Sequence, residues 1–133
     1  MTDEIGTILL IDDDETSHAL LRYHLERAGF ALLSAKDTQS AMAVVESDVN
    51  LTAILLDIHI PRGDVGWALL ARLIRLKQTR LQGTPIIVYS VDDDRVRAKA
   101  AGADAHFVKP VNYKDLISLL EGYVQRRSKA KES

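Results

Sequence analysis

The sequence has no cysteine, few aromatic residues and almost no net charge. Without cysteine the chain cannot form disulfides or use thiol chemistry, which is compatible with a reducing, cytoplasmic environment. A formal charge of -2 gives no electrostatic reason to expect nucleic acid or a membrane as the main partner. The longest apolar runs are only strand-sized, and the acidic N-terminus does not resemble a signal peptide. The composition therefore predicts a small globular domain.

Short apolar runs alternate with longer amphipathic segments along the 133 residues. Five runs predict strands, at 7–11, 30–34, 52–56, 85–89 and 105–108. Helical spacing follows each run, including a fourth helix over 92–101 and a fifth that Asn112 caps. Continuously apolar strands are typical of a parallel sheet covered on both faces. Right-handed crossovers then give a doubly wound, three-layer α/β/α domain over 1–127, followed by a polar basic tail at 128–133 that we expect to be disordered.

Polar side chains follow four of these strands at the edge where such folds bind ligands. The first strand ends at Asp12 and Asp13, the third at Asp57, the fourth at Ser90 and the fifth at Lys109. Converging carboxylates repel one another unless a cation joins them, and an all-oxygen site favours Mg²⁺ or Mn²⁺ over zinc. A carboxylate can also accept a phosphoryl group as an acyl phosphate, and a metal, a lysine and a hydroxyl would neutralise the transferred group.

Each of these residues has a simpler interpretation when it is taken alone. Asp14 and Glu15 fit helix capping, Ser90 fits a turn, and Lys109 fits the end of a strand. The joint pattern, with a polar group after each of four separate buried strands, favours a functional site.

Four segments, 8–13, 55–61, 88–90 and 102–110, together resemble the receiver domain of two-component response regulators over nearly the whole chain. The resemblance implies a flavodoxin-like fold with strand order 2-1-3-4-5. It also implies that Asp57 is the phosphoacceptor and that a histidine kinase or a histidine phosphotransfer protein is the donor. The expected chemistry is self-phosphorylation and autodephosphorylation only, so the chain is not expected to be an enzyme in the ordinary sense.

The resemblance also implies a role for each residue around Asp57. Asp13, Asp57 and the backbone carbonyl of His59 would ligate the cation, and Asp12 would act through a metal-bound water. Ser90 would donate a hydrogen bond to the phosphoryl group. Lys109 would pair with that group, and a cis peptide bond before Pro110 would orient the lysine.

Two departures from the family pattern lie close to the expected site. The loop after Pro61 has one residue more than usual before Gly66, which predicts a local bulge. Val91 stands where the family commonly has a smaller residue. It would either narrow access to the phosphoryl group, and so slow exchange with small donors and water, or simply pack beside the last strand.

Two further positions bear on switching and on the lifetime of the acyl phosphate. His106 stands where the family usually has a tyrosine or phenylalanine that moves inward together with Ser90, so its ring would either switch or face a partner. Strand alternation places Phe107 on the opposite face, in the core. His59 and Asp92 would flank the hydrolytic water and tune the lifetime.

The fifth helix is followed by no recognisable effector segment, so we expect the chain to act by binding a protein partner or by passing the phosphoryl group onward. A domain cut from a hybrid kinase would look the same. A rival interpretation is a haloacid dehalogenase-like, Mg²⁺-dependent phosphatase with Asp12 as nucleophile, because residues 12–16 read D-x-D-x-T. The position of Lys109 after the acids 92–94 argues against it. A third is a docking module that is never phosphorylated.

Overall fold

The computed structural model describes residues 4–60 and 65–132, the last four of them by their backbone alone. Its five strands are β1 (Gly6–Ile11), β2 (Phe30–Ala35), β3 (Ala53–Asp57), β4 (Ile86–Ser90) and β5 (Ala105–Val108). Its five helices are α1 (Glu15–Arg27), α2 (Thr38–Glu46), α3 (Val65–Leu76), α4 (Arg95–Ala101) and α5 (Tyr113–Glu132). Strands and helices therefore alternate along the chain, as the apolar pattern predicts.

The strands form one parallel sheet in the order β2-β1-β3-β4-β5. Ile11 is in register with both Ala35 and Leu56, and Asp57 is in register with Tyr89. The carboxyl ends of neighbouring strands therefore finish at a common edge. The predicted fold class and strand order are confirmed.

Two hydrophobic cores lie on opposite faces of this sheet. One packs Leu9 and Ile11 of β1 against apolar residues of α2, α3 and α4. The other packs Ile8 and Leu10 against α1 and α5. Alternate residues of the same strand thus enter different cores, because successive side chains of a strand point to opposite faces. The continuously apolar strands are explained by this double burial.

Three helices are preceded by a residue whose side chain accepts a hydrogen bond from a backbone amide of the first turn. The carboxylate of Asp14 accepts a hydrogen bond from the amide of Thr16 at 3.1 Å. Asp37 caps α2 in a reciprocal box with Ser40, and the side-chain oxygen of Asn112 accepts from the amide of Asp115 at 3.1 Å. Each such cap typically contributes about 0.5–2 kcal/mol. The predicted caps Asp14 of α1 and Asn112 of α5 are confirmed.

Helix α4 begins three residues later than the sequence pattern predicts. The amide of Asp94 donates to the carbonyl of Asp92 at 3.1 Å, and the hydroxyl of Ser90 donates to the same carbonyl at 2.7 Å. Residues 92–94 are therefore not helical, and the first helical residue is Arg95.

Helix α5 extends through Glu132, beyond the predicted domain boundary at residue 127. The predicted disorder of the tail at 128–133 stays a prediction. The guanidinium of Arg127 donates to the carbonyl of Leu51 and to the side-chain oxygen of Asn50, each at 2.7 Å. Lysine, alanine and glutamate are also good helix formers, so a polar composition here does not end the helix.

No helix within residues 4–60 and 65–132 combines the length and the apolarity needed to cross a membrane. The predicted bulge after Pro61 falls on residues 61–64, which lie outside the described residues.

Candidate functional site

Three carboxylates meet where β1 and β3 end. Asp12, Asp13 and Asp57 each place a carboxylate oxygen within 4.8 Å of the others. The two strands are neighbours in register, so the residues that follow Ile11 lie beside Asp57. Asp12 and Asp57 are buried, whereas Asp13 is exposed. A compact set of oxygen donors with one side open to water fits Mg²⁺ or Mn²⁺.

The ammonium group of Lys109 lies inside this acidic cluster. Its Nζ donates to Asp57 Oδ2 at 3.1 Å and lies 3.6 Å from Asp12 Oδ2. The peptide bond between Lys109 and Pro110 is cis, as predicted. The other oxygen of Asp57, Oδ1, accepts from the backbone amide of His59 at 3.0 Å. The fold therefore brings together the carboxylates and the lysine that the sequence singles out.

Burial raises the pKa of the Asp57 carboxyl above its ordinary value. The hydrogen bond from the His59 amide lowers that pKa, the negative charge of Asp12 raises it further, and Lys109 lowers it again. A divalent cation between the carboxylates would favour the ionised, nucleophilic form of Asp57.

Ser90 is buried at the end of β4 and lies among three hydrogen-bonding groups. Its Oγ is 2.7 Å from the carbonyl of Asp92, 3.0 Å from Asp94 Oδ2 and 3.3 Å from His106 Nε2. One hydroxyl hydrogen cannot satisfy all three groups at once. A turn of this hydroxyl toward a phosphoryl group would have to break its contacts with the loop between β4 and α4.

The imidazole of His106 is half-buried on the α4 side of the sheet and faces Ser90. Its Nδ1 is buried and has no hydrogen-bond partner among the described residues. The neighbouring Phe107 packs into the opposite core with Tyr89, as strand alternation predicts. His106 thus points inward in this structure, and its movement on phosphorylation stays a prediction.

Acidification is expected to destabilise the folded protein through His106. Burial is the main reason that the pKa of His106 lies below its ordinary value of 6.5, although Asp93 and Asp94 act in the opposite direction. The unfolded chain then binds more protons than the folded chain below about pH 6.5, so stability rises with pH in that range. Urea unfolding at about pH 5.5 and pH 7.5 should show a smaller pH-dependent loss for His106→Gln than for the wild type. Equal losses would contradict this role of His106.

His59 and Asp92 lie at the open side of the site. His59 Nε2 is 3.8 Å from Asp92 Oδ2 and equally far from Asp94 Oδ2, so a protonated ring would join the loops that follow β3 and β4. Val91 is 65% exposed, and its side chain is therefore not packed beside the last strand. The exposure argues against the packing interpretation, and the narrowing of access to the phosphoryl group stays a prediction.

Removing the branched side chain of Val91 should speed labelling by a small donor. We expect Val91→Ala to react with acetyl phosphate about two- to fivefold faster, as for a barrier lowered by roughly 0.5–1 kcal/mol. The measurement is the rate of mass gain in the presence of Mg²⁺, with Val96→Ala on exposed α4 as the control. An unchanged rate for Val91→Ala would remove the gating hypothesis.

Sequence reasoning missed two buried polar residues that contact Asp12. The hydroxyl of Tyr89 donates to Asp12 Oδ2, and the ring of Tyr89 lies 4.6 Å from Lys109 Nζ. His18 Nε2 lies 2.6 Å from the carbonyl oxygen of Asp12, and its Nδ1 lies 3.0 Å from Ser34 Oγ. A tyrosine after three aliphatic strand residues and directly before Ser90 was the available signal for the first of these contacts.

Burial raises the pKa of the Tyr89 phenol, and the nearby negative charge of Asp12 raises it further. Tyr89 therefore stays neutral and acts as a hydrogen-bond donor to Asp12.

Comparison with known proteins agrees with this geometry. The sequence profile of the response regulator receiver domain matches residues 8–121. The chain is 33% identical over 125 residues to the transcriptional regulatory protein CpxR of Klebsiella pneumoniae, covering 92% of the chain and 50% of that protein. It is 33% identical over 123 residues to the phosphate regulon transcriptional regulatory protein PhoB of Pseudomonas aeruginosa, covering 90% and 52%. It thus spans about half the length of these curated relatives.

Among solved structures, a CheY-like receiver domain protein from Methanospirillum hungatei superposes with a TM-score of 0.79 at 26% identity. That match covers 94% of this chain and 98% of the other. The match of the family profile to most of the chain, together with the shared fold, shows that this chain belongs to the response regulator receiver domain family.

Proposed function

We propose that Asp57 accepts the phosphoryl group by which this receiver domain acts as a phosphorylation-dependent switch, and that Mg²⁺ or Mn²⁺ assists the transfer. The observation that carries the proposal is the position of Asp57, whose Oδ2 lies 3.1 Å from Lys109 Nζ inside a cluster of three carboxylates. The donor is the phosphohistidine of a histidine kinase or of a phosphotransfer protein. We place this reaction in the cytoplasm.

Each residue of the site has a separate role in the phosphoryl transfer. A carboxylate oxygen of Asp57 forms a bond to phosphorus while the bond from phosphorus to the donor nitrogen breaks. Asp13, Asp57 and the backbone carbonyl of His59 would hold the cation, which neutralises charge on the phosphoryl oxygens when it is bound. Lys109 supplies a second positive charge, and the Ser90 hydroxyl turns to donate to a phosphoryl oxygen. Asp12 would contribute to holding the cation indirectly, through a water.

The later steps concern the lifetime of the acyl phosphate. Hydrolysis returns Asp57 to its free carboxylate by attack of water on phosphorus. We assign an influence on that water to His59 and Asp92, whose partly exposed side chains lie 3.8 Å apart. Self-phosphorylation by small donors and autodephosphorylation are the only chemistry that we assign to the chain itself.

The surface that would respond to phosphorylation lies beside Ser90 and His106, on α4 and β5. Val96 of α4 and Val108 of β5 are exposed apolar residues there. Arg95 and Lys99 line the same surface pocket as Val96 and His106. Movement of Ser90 and His106 would change the affinity of this surface for a protein partner. Onward transfer of the phosphoryl group to a histidine fits the same site.

The phosphatase alternative with Asp12 as nucleophile has no comparable support. Asp12 is fully buried, and both of its oxygens already accept hydrogen bonds, one from the amide of Asp14 at 2.8 Å and one from Tyr89. That interpretation also leaves Asp57 and its contact with Lys109 without a role.

The test of the proposal is to locate the phosphate. The protein is treated with acetyl phosphate and Mg²⁺, and borohydride reduction then converts a phosphorylated aspartate into homoserine for peptide mass mapping. We expect homoserine at position 57, and we expect no homoserine when the cation is chelated. Homoserine at position 12, or steady hydrolysis of phosphomonoesters, would favour the phosphatase. If acetyl phosphate does not label the protein and beryllofluoride does not bind to it, a docking module is favoured.

A further inference from the structure

Tyr89 is a polar side chain that follows three aliphatic residues in β4, and it points at the acidic cluster. It is 2% exposed, and its hydroxyl donates to Oδ2 of Asp12, which is fully buried. The two residues are not on neighbouring strands, since β3 lies between β1 and β4. The long side chain of Tyr89 therefore crosses the end of β3 to reach Asp12.

Asp12 needs such a donor because its carboxylate is buried beside a second carboxylate. Its Oδ1 accepts from the Asp14 amide at 2.8 Å, and Lys109 Nζ lies 3.6 Å from its Oδ2. Lys109 is closer to Asp57, at 3.1 Å. A buried charge without enough partners is strongly unfavourable. The Tyr89 hydroxyl therefore stabilises the part of the negative charge of Asp12 that Lys109 does not neutralise.

We propose that Tyr89 is a positioning residue that stabilises the acidic site when no cation is bound, and that its hydroxyl thereby lowers the affinity of the site for Mg²⁺. The inference rests on the cation site of the proposed function. A hydrogen bond to a full carboxylate charge is stronger than one to a carboxylate whose charge a cation already shares. Removal of the hydroxyl therefore destabilises the cation-free protein more than the cation-bound protein. By thermodynamic linkage, the affinity for the cation must then rise.

Tyr89→Phe isolates this effect because it keeps the ring that packs in the core and lies near Lys109. Titration calorimetry with MgCl₂ alone should show binding that is roughly three- to tenfold tighter than in the wild type. Urea unfolding should show that Tyr89→Phe is less stable than the wild type without Mg²⁺, and that saturating Mg²⁺ restores more stability to the variant than to the wild type.

The matched control is Tyr123→Phe, which removes the hydroxyl of another buried tyrosine, on α5 and outside the acidic site. Its Mg²⁺ affinity should equal that of the wild type. In an Asp12→Asn background, where the buried charge is gone, Tyr89→Phe should no longer raise the affinity.

The outcomes separate this inference from the proposed function. A wild type that shows neither Mg²⁺ binding nor Mg²⁺ stabilisation would remove the cation site itself. A wild type that binds Mg²⁺, with Tyr89→Phe binding equally or more weakly, would overturn the role of Tyr89 and leave the site intact. A stability loss in Tyr89→Phe that is the same with and without Mg²⁺ would also overturn it, since a purely structural role predicts that result.

Discussion

Asp57→Asn is expected to abolish the mass gain that acetyl phosphate and Mg²⁺ produce in the wild type. An amide has the shape of the carboxylate, but it cannot form an acyl phosphate. The substitution should not unfold the protein, because burial and the neighbouring Asp12 already disfavour the charge at position 57. Intact mass spectrometry at matched reaction times is the measurement, and urea unfolding of the variant reports its fold.

The control for this experiment is Asp48→Asn, which makes the same chemical change at an exposed position outside the site. It should be labelled as fast as the wild type. Labelling of a folded Asp57→Asn at the wild-type rate would show that another residue accepts the phosphoryl group, and Asp12 would be the first to test.

The largest expected effect on stability is that of Gly66→Ala at the start of α3. A Cβ atom at this position would lie 1.8 Å from the carbonyl oxygen of Ile58 and 2.4 Å from its carbonyl carbon. Both contacts are with backbone, so no side-chain rotation can relieve them, and either α3 or the segment after β3 has to move. We expect the free energy of unfolding to fall by about 3 kcal/mol or more.

Gly122→Ala provides the matched control, since Gly122 also lies in a helix and its added Cβ would meet nothing within 4 Å. That variant should gain about 0.5–1 kcal/mol from better helix propensity. Urea unfolding curves of the two variants and the wild type measure both effects. A Gly66→Ala protein as stable as the wild type would mean that the close approach between α3 and Ile58 relaxes without penalty.

Gly66→Ala should also affect the site around Asp57. Ile58 lies between Asp57 and His59, and the His59 amide donates to Asp57 Oδ1 at 3.0 Å. A shift of the Ile58 carbonyl would disturb this hydrogen bond. Phosphorylation of any folded Gly66→Ala protein should therefore be slowed as well as its stability reduced.

Some features of the protein follow from local sequence patterns and a few topology rules. Apolar runs separated by amphipathic segments indicate five βα units, and the parallel fold then places the residues at the carboxyl ends of β1, β3 and β5 at one edge. Asp12, Asp13, Asp57 and Lys109 meet for this reason. The pattern was less informative at the ends of helices: α4 starts at Arg95, because the Ser90 hydroxyl and the Asp94 amide both donate to the carbonyl of Asp92 and keep the preceding acids out of the helix.

The sequence by itself therefore determined the order of the strands and helices, the two-sided burial of the sheet and the set of charged groups at its edge. Only the tertiary structure decided that Tyr89 reaches Asp12 across β3, that Ser90 faces Asp94 and His106, and that Gly66 lies against Ile58. Apolar periodicity and chain order are properties of neighbouring residues. Contacts between side chains far apart in the sequence depend on strand register, rotamers and the close approach of helices to the sheet, which no local pattern specifies.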